Sequence, residues 1–570
     1  MNLTRPALPP PDSPSVPSQS TRLHAGPLAL TFEDGRIHSI LAGGIEVWRS
    51  VMFLFRDPAW ATPWHQLHNV QIDQAEQTFQ ISFEGTCPQH PAITWATRIS
   101  GSADGHIQFD TDASVSANIL TSRAGLCVLH PLSAAGRPLE VEHADGRVSR
   151  SSFPLLVSPW QPFTQIRALR HLYAPGCWAT CRMHGDVFEM EDQRNFSDAS
   201  FKTYSRSNLM PRPYRLAAGE KFHQSVSLCI DRAPTRTSNR KRPVASVSIS
   251  NEVVGSLPAI GLVGSRQNAT TAAPLDFWRI QIDLRESSPV RIRSVADLPG
   301  VRHPDAGPRH IDVLLDDDDL AAAICPQSAD AFSCAGVAIS HVAVYPTTDR
   351  SITAARHAFP NARVGGGTPF FFTHLNRLQL PSTLDFVSFS TCPIVHVADD
   401  LSVMQSLATL PALVDTLRAR GIQCPLHIGP VGIGMRLDPF AARVVANGEQ
   451  KLAMAQHDPR DESAFGDVWA FAYVCRMAQA GAKALTFGHE RVLDKIGALT
   501  GRLHPALKSL TNAAPEQLAA LAVCTDNGVN AWIANLTDRH VPTRFVFPDG
   551  KARALQLDPY TLIRADWVRH

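Results

Sequence analysis

The sequence has no long hydrophobic run and almost no net charge. No stretch of about 18 or more apolar residues occurs, which argues against a helix that spans a membrane. Lys and Arg together number 53 and Asp and Glu together number 52, so the formal net charge is +1. That balance gives no basis for a nucleic-acid partner or an anionic-membrane partner. We therefore expect a globular protein that binds neither.

The cysteines lack the pattern of a disulfide framework, because the 11 of them are odd in number and scattered along the chain. Cys229, Cys475 and Cys524 lie in apolar runs, which favours buried free thiols in a reducing compartment. Cys177 and Cys181 lie close together, but no matching second pair follows them, so a zinc site is not predicted. We expect a cytoplasmic protein without a metal or a cofactor.

The length and the turn signals predict several domains. At 570 residues the chain is too long for one hydrophobic core, and about three domains are expected. Residues 1–20 are rich in Pro and Ser, which predicts a disordered tail. Residues 21–245 contain short alternating segments between turns such as Asp34-Gly35, Asp104-Gly105 and Asp145-Gly146. Many strands at this spacing predict a large N-terminal antiparallel β-sandwich.

Residues 250–512 alternate between strand-like and helical stretches, which predicts a central (β/α)8 TIM barrel. The eight candidate strands are residues 259–263, 278–284, 310–315, 337–345, 363–372, 386–391, 425–430 and 484–487. Strand-like runs then return, so residues 513–570 predict a small C-terminal β-sandwich. The predicted fold class is therefore multidomain, with an α/β barrel between two β domains.

Polar residues follow the fifth and sixth candidate strands at the point where each strand ends. They are His374, Asn376 and Arg377 after the fifth strand, and His396, Asp399 and Asp400 after the sixth. Because catalytic residues of such barrels lie at the carboxyl ends of the strands, we expect these side chains to share one site.

Each of these residues has a functional interpretation and a structural one. Histidine suits general acid–base chemistry near neutral pH. The alternative is that His374 or His396 is a hydrogen-bonded core residue of the barrel with a structural role. Arg377 offers a rigid fork of donors for an oxyanion and Asn376 can hold a hydroxyl, whereas the alternative for Arg377 is an ion pair.

The acidic pair Asp399–Asp400 is equally open to two interpretations. These carboxylates can orient His396 or bind sugar hydroxyls, and they can instead cap the helix that begins near Leu401. A longer acidic run, residues 316–319, precedes another helical stretch, so a capped turn is the simpler interpretation there.

Two later segments add candidates. His489 and Glu490 follow the eighth strand and offer an acid or a base, with a salt bridge from Glu490 to Arg491 as the alternative. Arg460 lies in the loop of residues 456–461, which can fold over the barrel mouth as a lid.

The most unusual segment of the first domain is residues 188–204, FEMEDQRNFSDASFKTY. Six charged side chains share it with four aromatic ones, and Asp192 and Arg194 lie at its centre. Such a density of charge predicts either a buried ion-pair network or one wall of a substrate pocket.

This segment resembles a signature of the D-apionate lactonase family. So do Thr373-His-Leu-Asn-Arg377, Pro393-Ile-Val-His396 with Asp399 and Asp400, and Asp458-Pro-Arg460, and the match runs from about Leu126 to the end. The resemblance implies a β domain, a TIM barrel and a second β domain. It also implies hydrolysis of a small-molecule sugar lactone, D-apionolactone, to the open acid.

The resemblance departs from the family pattern at two positions. The family has Glu where this chain has His374, and a Glu–Thr pair near the end of the eighth strand where this chain has His489-Glu490. Lactone opening needs a base for water, donors for the oxyanion and an acid for the leaving alkoxide. We assign His374 or His396 as the base, Arg377 and Asn376 as donors, Glu490 or His489 as the acid, and Asp399 as the residue that orients His396.

Two other functions remain open from the sequence. A glycoside hydrolase of the TIM-barrel type fits the architecture, but it needs two neighbouring carboxylates, and Glu490 with Asp399 or Asp400 is the available combination among the strand ends named. A non-catalytic carbohydrate-binding relative is the third hypothesis.

Overall fold

The computed structural model describes residues 20–234, 244–264, 275–285, 309–435, 437, 447, 450–488, 506–525 and 528–568. The described residues form two compact units. The N-terminal unit comprises residues 20–193 and 200–234, and the barrel unit comprises residues 194–199 together with the described residues from 244 onward. Among these residues, none of the helices has both the length and the apolar character needed to cross a membrane.

The N-terminal unit is built from antiparallel strands. They are β1 (Thr21–Ala25), β2 (Leu28–Glu33), β3 (Arg36–Ala42), β4 (Ile45–Arg56), β5 (Gln66–Gln74), β6 (Phe79–Thr86), β7 (Ile93–Gly101), β8 (His106–Val115), β9 (Ile119–Thr121), β10 (Arg123–Pro131), β11 (Pro138–His143), β12 (Val148–Ser152), β13 (Phe163–Ala174), β14 (Cys177–His184), β15 (Phe188–Asp192), β16 (Ser200–Ser205), β17 (Tyr214–Leu216) and β18 (Lys221–Ile230). Within the described part, β9 and β17 pair separately and the others form one sheet, ordered β1-β2-β3-β4-β10-β16-β15-β13-β14-β18-β8-β7-β6-β5 with β11 and β12 beside β13.

Alternating sequence explains why these segments are strands. Along β7, buried and exposed residues alternate without interruption, so one face packs in the core and the other meets solvent. The predicted turn at Asp34-Gly35 joins β2 to β3, and both residues have positive φ (46° and 73°), as a two-residue hairpin turn requires. The prediction of a β-rich N-terminal domain is confirmed, and its description as a sandwich stays a prediction.

The barrel unit contains eight parallel strands that close into a barrel. They are β20 (Ala259–Val263), β21 (Phe277–Asp283), β22 (Arg309–Leu314), β23 (Ile339–Tyr345), β24 (Arg363–Phe371), β25 (Val387–Ser390), β26 (Leu426–Val431) and β27 (Ala484–Phe487). Their runs are buried almost throughout, as in β26, because the strands of a parallel barrel are covered on both faces. All eight predicted strands are present, so the predicted barrel is confirmed.

Helices follow several of these strands. They are α1 (Ala321–Cys334), α2 (Asp349–Ala358), α3 (Phe372–Arg377), α4 (Asp400–Ser406), α5 (Leu410–Ala419) and α6 (Ala464–Ala480), with short 3-10 turns at Leu132–Ala134, Gln193–Phe196, Asp318–Leu320, Leu407–Thr409 and Pro459–Glu462. Asp317 accepts a hydrogen bond from the Asp319 backbone (3.0 Å), which confirms the capped turn predicted in the acidic run.

A third sheet follows the barrel in sequence but also includes a strand that precedes it. Its strands are β19 (Ala245–Ser256), β28 (Ala506–Asn512), β29 (Leu518–Thr525), β30 (Gly528–Asn535), β31 (Val541–Val546), β32 (Ala552–Leu557), β33 (Leu562–Arg564) and β34 (Trp567–Val568). β19 pairs antiparallel with β28 and parallel with β31. The sequence division at 250–512 and 513–570 counted most of β19 and all of β28 with the barrel, and their backbone hydrogen bonds place both in this sheet instead.

The interior of the barrel is polar at mid-height. The guanidinium of Arg279 on β21 makes two hydrogen bonds to the carboxylate of Asp312 on β22, at 2.8 and 2.9 Å, and both side chains are almost fully buried. Arg279 also donates to Ser388 on β25 (2.9 Å), and Gln281 donates to Asp312 (3.1 Å). The pair therefore connects β21, β22 and β25, and no pattern in the sequence predicted it.

Three histidines stack together nearer the amino ends of the strands. The ring centroids of His310 and His341 are 4.1 Å apart, and those of His341 and His427 are 5.0 Å apart. Burial, followed by the charge of Arg363, lowers the pKa of His341 to about 4. Burial, followed by His341, lowers the pKa of His427 to about 3, and burial lowers the pKa of His310 well below its usual value. These rings are therefore neutral at pH 7.

Lowering the pH from 7 to 5 is expected to destabilise the barrel. An unfolded histidine titrates near pH 6.5, so the unfolded chain takes up protons in this range while the buried rings do not. The stability is full above about pH 6.5 and is lost as the pH falls, by on the order of 1–2 kcal/mol for His427 alone at pH 5. Urea midpoints followed by circular dichroism measure this loss.

A pair of variants isolates the contribution of the buried ring. His427→Leu should flatten the pH dependence of the urea midpoint, whereas His357→Leu, at an exposed position of α2, should leave the slope as it is. An unchanged slope in His427→Leu would contradict this account.

Candidate functional site

Residues 194–199 leave the N-terminal sheet between β15 and β16 and pack with the barrel unit. The backbone carbonyl of Asn195 accepts a hydrogen bond from Thr373 Oγ1 (2.7 Å), and its side-chain carbonyl accepts one from Asn376 Nδ2 (3.0 Å). Both donors lie on α3, directly after β24. The first turn after the fifth barrel strand therefore holds this six-residue segment in place.

The same segment supplies a carboxylate to His396. His396 lies in the loop after β25, and its Nδ1 is 2.5 Å from Asp198 Oδ2. The side chains are 15% and 11% exposed, so the pair is shielded but not sealed from solvent. The ring of Phe196 meets the imidazole edge-on, with centroids 5.0 Å apart. These contacts fix the orientation of the ring.

The contact with Asp198 favours one tautomer of His396 when that carboxylate is ionised. An ionised carboxylate only accepts hydrogen bonds, so Nδ1 carries the proton and donates it. In the neutral ring the lone pair is then on Nε2, at the opposite edge of the imidazole. This carboxylate–imidazole arrangement is one that positions a general base.

Asp399 caps the helix that follows the sixth barrel strand. Its carboxylate accepts hydrogen bonds from the backbone N–H of Ser402 (2.9 Å) and from the Ser402 hydroxyl (2.8 Å), so it caps α4. The helix cap is one of the two interpretations that the sequence left open for Asp399, and Nδ1 of His396 contacts Asp198 instead. The dense segment 188–204 contained the signal, but no spacing in it singled out Asp198.

His374 lies on α3 and is half-buried. Its Nδ1 is 2.8 Å from Thr368 Oγ1, and the ring of Phe370 contacts it edge-on at 5.4 Å. Burial, and then the positive charge of Arg377, lower the pKa of His374. A neutral ring is therefore favoured at this position. Arg377 is half-buried at the last residue of α3.

Asp400 and Arg460 form an ion-pair cluster. Arg460 makes two hydrogen bonds to the Asp458 carboxylate (2.8 and 2.6 Å) and a third to Asp400 Oδ1 (2.7 Å). Lys451 also contacts Asp400 (2.9 Å). Burial raises the pKa of Asp400, but the hydrogen bonds from Lys451 and Arg460 outweigh it and lower the pKa below its usual value. Two of the predicted substrate-binding residues are thus engaged with each other.

The predicted lid is part of this cluster. Asp461 accepts hydrogen bonds from the backbone N–H groups of Ile433 (2.8 Å) and Gly434 (3.0 Å), just after β26. Asp458, Arg460 and Asp461 are all buried. These bonds tie the end of the loop to the chain that follows the seventh barrel strand.

The remaining predicted residues are Asp192, Arg194, His489 and Glu490. Asp192 is fully buried in the N-terminal unit and accepts a hydrogen bond from the Ser158 backbone (3.0 Å), while Arg194 is buried in the segment assigned to the barrel unit. His489 and Glu490 lie outside the described residues. The structure therefore brings the fifth and sixth strand ends to one segment, and the eighth strand is described only to Gly488.

Among the described residues, one group of side chains lies close enough together to hold a metal ion, the carboxylates of Asp317, Asp318 and Asp319. Their hydrogen bonds account for the cluster, since Asp317 caps the turn and Asp318 accepts from Thr348 Oγ1 (2.7 Å).

Comparison with known proteins gives consistent matches along the chain. Residues 12–233 match the model of the D-apionate lactonase N-terminal domain, and residues 265–521 match that of the D-apionate lactonase TIM barrel domain. A D-apionate lactonase from Brucella anthropi is 36% identical over 523 residues, which cover 86% of this chain and 85% of that protein.

Solved structures resemble the chain more remotely. An endo-β1,6-glucanase is 8% identical with a TM-score of 0.36, over 57% of this chain and 95% of the other. A GH30 endoxylanase from Clostridium papyrosolvens is 9% identical with a TM-score of 0.36, over 57% and 97%. The family matches and the identity of 36% over most of both chains are much closer. They show that this chain belongs to the D-apionate lactonase family.

Proposed function

We propose that the protein hydrolyses a D-apionolactone-like sugar lactone to the open aldonate, as a carboxylic ester hydrolase of carbohydrate catabolism. Membership of the D-apionate lactonase family supports the reaction class. The observation that carries the mechanism is the contact of 2.5 Å between His396 Nδ1 and Asp198, because it leaves Nε2 as the basic nitrogen.

In the proposed first step, His396 Nε2 accepts a proton from a water molecule. The water oxygen attacks the lactone carbonyl carbon, and the carbonyl becomes a tetrahedral oxyanion. Asp198 stabilises the imidazolium that forms, since the positive ring faces a shielded carboxylate. Arg377 at the end of α3 donates to the oxyanion in this proposal.

In the second step the ring C–O bond breaks and the leaving alkoxide takes a proton. The imidazolium of His396 can return the proton it received, and His489 or Glu490 stays our proposed alternative acid. His374 is a second candidate base, favoured as a neutral ring by its lowered pKa. The net change is the addition of one water, which yields the aldonic acid and then its carboxylate.

Asn376 and the acidic residues have supporting roles in this proposal. Asn376 holds residue 195, and so positions the segment that bears Asp198. Asp400 and Arg460 shape the loops after the sixth and seventh strands through their ion pair and contribute to substrate binding, together with Asp399 and Arg194. A cytoplasmic location agrees with the 11 free cysteines, which need a reducing compartment.

A lactone panel tests the proposed function. Purified protein should release acid from D-apionolactone, followed in a pH-stat, at a saturable rate above spontaneous hydrolysis. Six-membered and unbranched aldonolactones compare substrate shapes, and aryl glycosides serve as the control for glycosidase activity. Absence of acid release from every lactone would refute the function, and release of phenol from aryl glycosides would replace it.

A further inference from the structure

Lys202 is a buried cation without a hydrogen-bonded partner in the described structure. It lies in the middle of β16, is 3% exposed, and makes a long cation–π contact with Tyr204 (5.8 Å). Glu191 is directly opposite on β15, but its carboxylate accepts from Gln193 Nε2 (2.9 Å) and forms no ion pair with Lys202. Buried ammonium groups are ordinarily paired, so this one needs an explanation.

Two arginines add positive charge to the same place. Arg123, 2% exposed, lies over the Tyr204 ring at 3.6 Å and donates to Asn208 Oδ1 (3.1 Å), and its buried Nε has no partner among the described residues. Arg56 pairs with Arg123 across β4 and β10 and is 4% exposed. The charges of both arginines act on Lys202.

The two nearby carboxylates make their hydrogen bonds to neutral groups. Glu189 is fully buried and accepts hydrogen bonds from the Tyr204 hydroxyl (2.7 Å), the Ser207 hydroxyl (2.6 Å) and the Asn208 backbone (2.5 Å). All three donors are neutral. Lys202 and Arg123 thus lie beside two carboxylates that are hydrogen-bonded to neutral groups.

We propose that Lys202 and Arg123 form a binding site for a small carboxylate anion, namely the aldonate that lactone opening produces. An anion would supply the missing acceptor for the ammonium and for Arg123 Nε through charge-assisted hydrogen bonds. The identity of the anion as an aldonate rests on the proposed function, whereas the need for an anion rests on the cluster alone.

The titration of Lys202 agrees with this assignment. Burial, and then Arg123, lower its pKa to about 8, with Arg56 acting in the same direction and Cys127 and Glu191 opposing. A bound carboxylate favours the charged ammonium and raises this pKa. Binding between pH 8 and 9 therefore takes up protons, which provides a signal from the proposed site itself.

Calorimetric titration of the full-length protein with sodium D-apionate, and with acetate as a minimal carboxylate, tests the proposal. Lys202→Met should weaken D-apionate binding on the order of 10- to 100-fold, because a charged hydrogen bond is lost. Lys202→Arg should retain binding, and Lys221→Met, at an exposed position of β18, is the matched control. Repeating the wild-type titration at pH 8.5 in two buffers of different ionisation enthalpy measures the proton uptake.

Saturable binding with proton uptake, lost in Lys202→Met and kept in Lys221→Met, supports the site. No binding, or binding without proton uptake, overturns it, and the wild-type and Lys202→Arg titrations decide this even when Lys202→Met fails to fold. Lactone hydrolysis is assayed on the same preparations. Hydrolysis without anion binding removes only this inference, and anion binding without hydrolysis removes the proposed function.

Discussion

Replacing His396 by alanine is expected to lower kcat/KM for lactone opening about 10²- to 10⁴-fold, the usual contribution of a general base. The loss should fall mainly on kcat, because Nε2 acts on water and not on substrate binding. Initial rates of acid release from D-apionolactone measure both parameters.

Two further variants separate the base from its orientation. Asp198→Asn keeps the shape of the side chain but can donate to Nδ1, which favours the tautomer that lacks a basic Nε2, and a loss on the order of 10²-fold or more is expected. His357→Ala, an exposed histidine on the same barrel, should retain full activity. If His396→Ala and His357→Ala hydrolyse the lactone equally well, His396 is not the base.

Replacing Asp312 by asparagine is expected to destabilise the protein by about 3–5 kcal/mol, because it leaves the buried guanidinium of Arg279 without its charged partner. Arg279 and Asp312 are 4% and 2% exposed, so solvent cannot replace the lost carboxylate. Chemical denaturation of both proteins measures the difference in the free energy of unfolding.

The controls for this prediction use one exposed pair and one double variant. Asp319 also pairs with an arginine, Arg350, but both are about 60% exposed, and Asp319→Asn should cost less than about 1 kcal/mol. Arg279→Met combined with Asp312→Leu removes both charges and should be more stable than Asp312→Asn. Equal stabilities of Asp312→Asn and Asp319→Asn would show that the buried pair contributes nothing.

The barrel could be predicted from sequence because each strand is recognised from a pattern within a few consecutive residues. Runs such as residues 426–431 are buried on both faces, so apart from His427 they are apolar or small. The same locality explains why the cap at Asp317 was found, since a cap depends on residues only a few positions away.

The contacts that matter for the site are distant in sequence. Asp198 and His396 are 198 residues apart, and Arg279 and Asp312 belong to different strands, so no periodicity links the partners. β19 is separated from β28 by the whole barrel, which is why its sheet could not be assigned. For Asp399 the sequence left two roles open, a helix cap or a partner of His396, and the structure shows the cap.

The most direct test of the His396–Asp198 assignment is the rescue of His396→Ala by imidazole. Free imidazole can occupy the space left by the side chain and supply the missing base, so the rate of D-apionolactone hydrolysis by this variant should rise saturably with imidazole concentration. Wild-type protein should show no such increase. A variant that hydrolyses the lactone as fast as wild type, or one whose rate imidazole does not raise above the buffer reaction, would contradict the assignment.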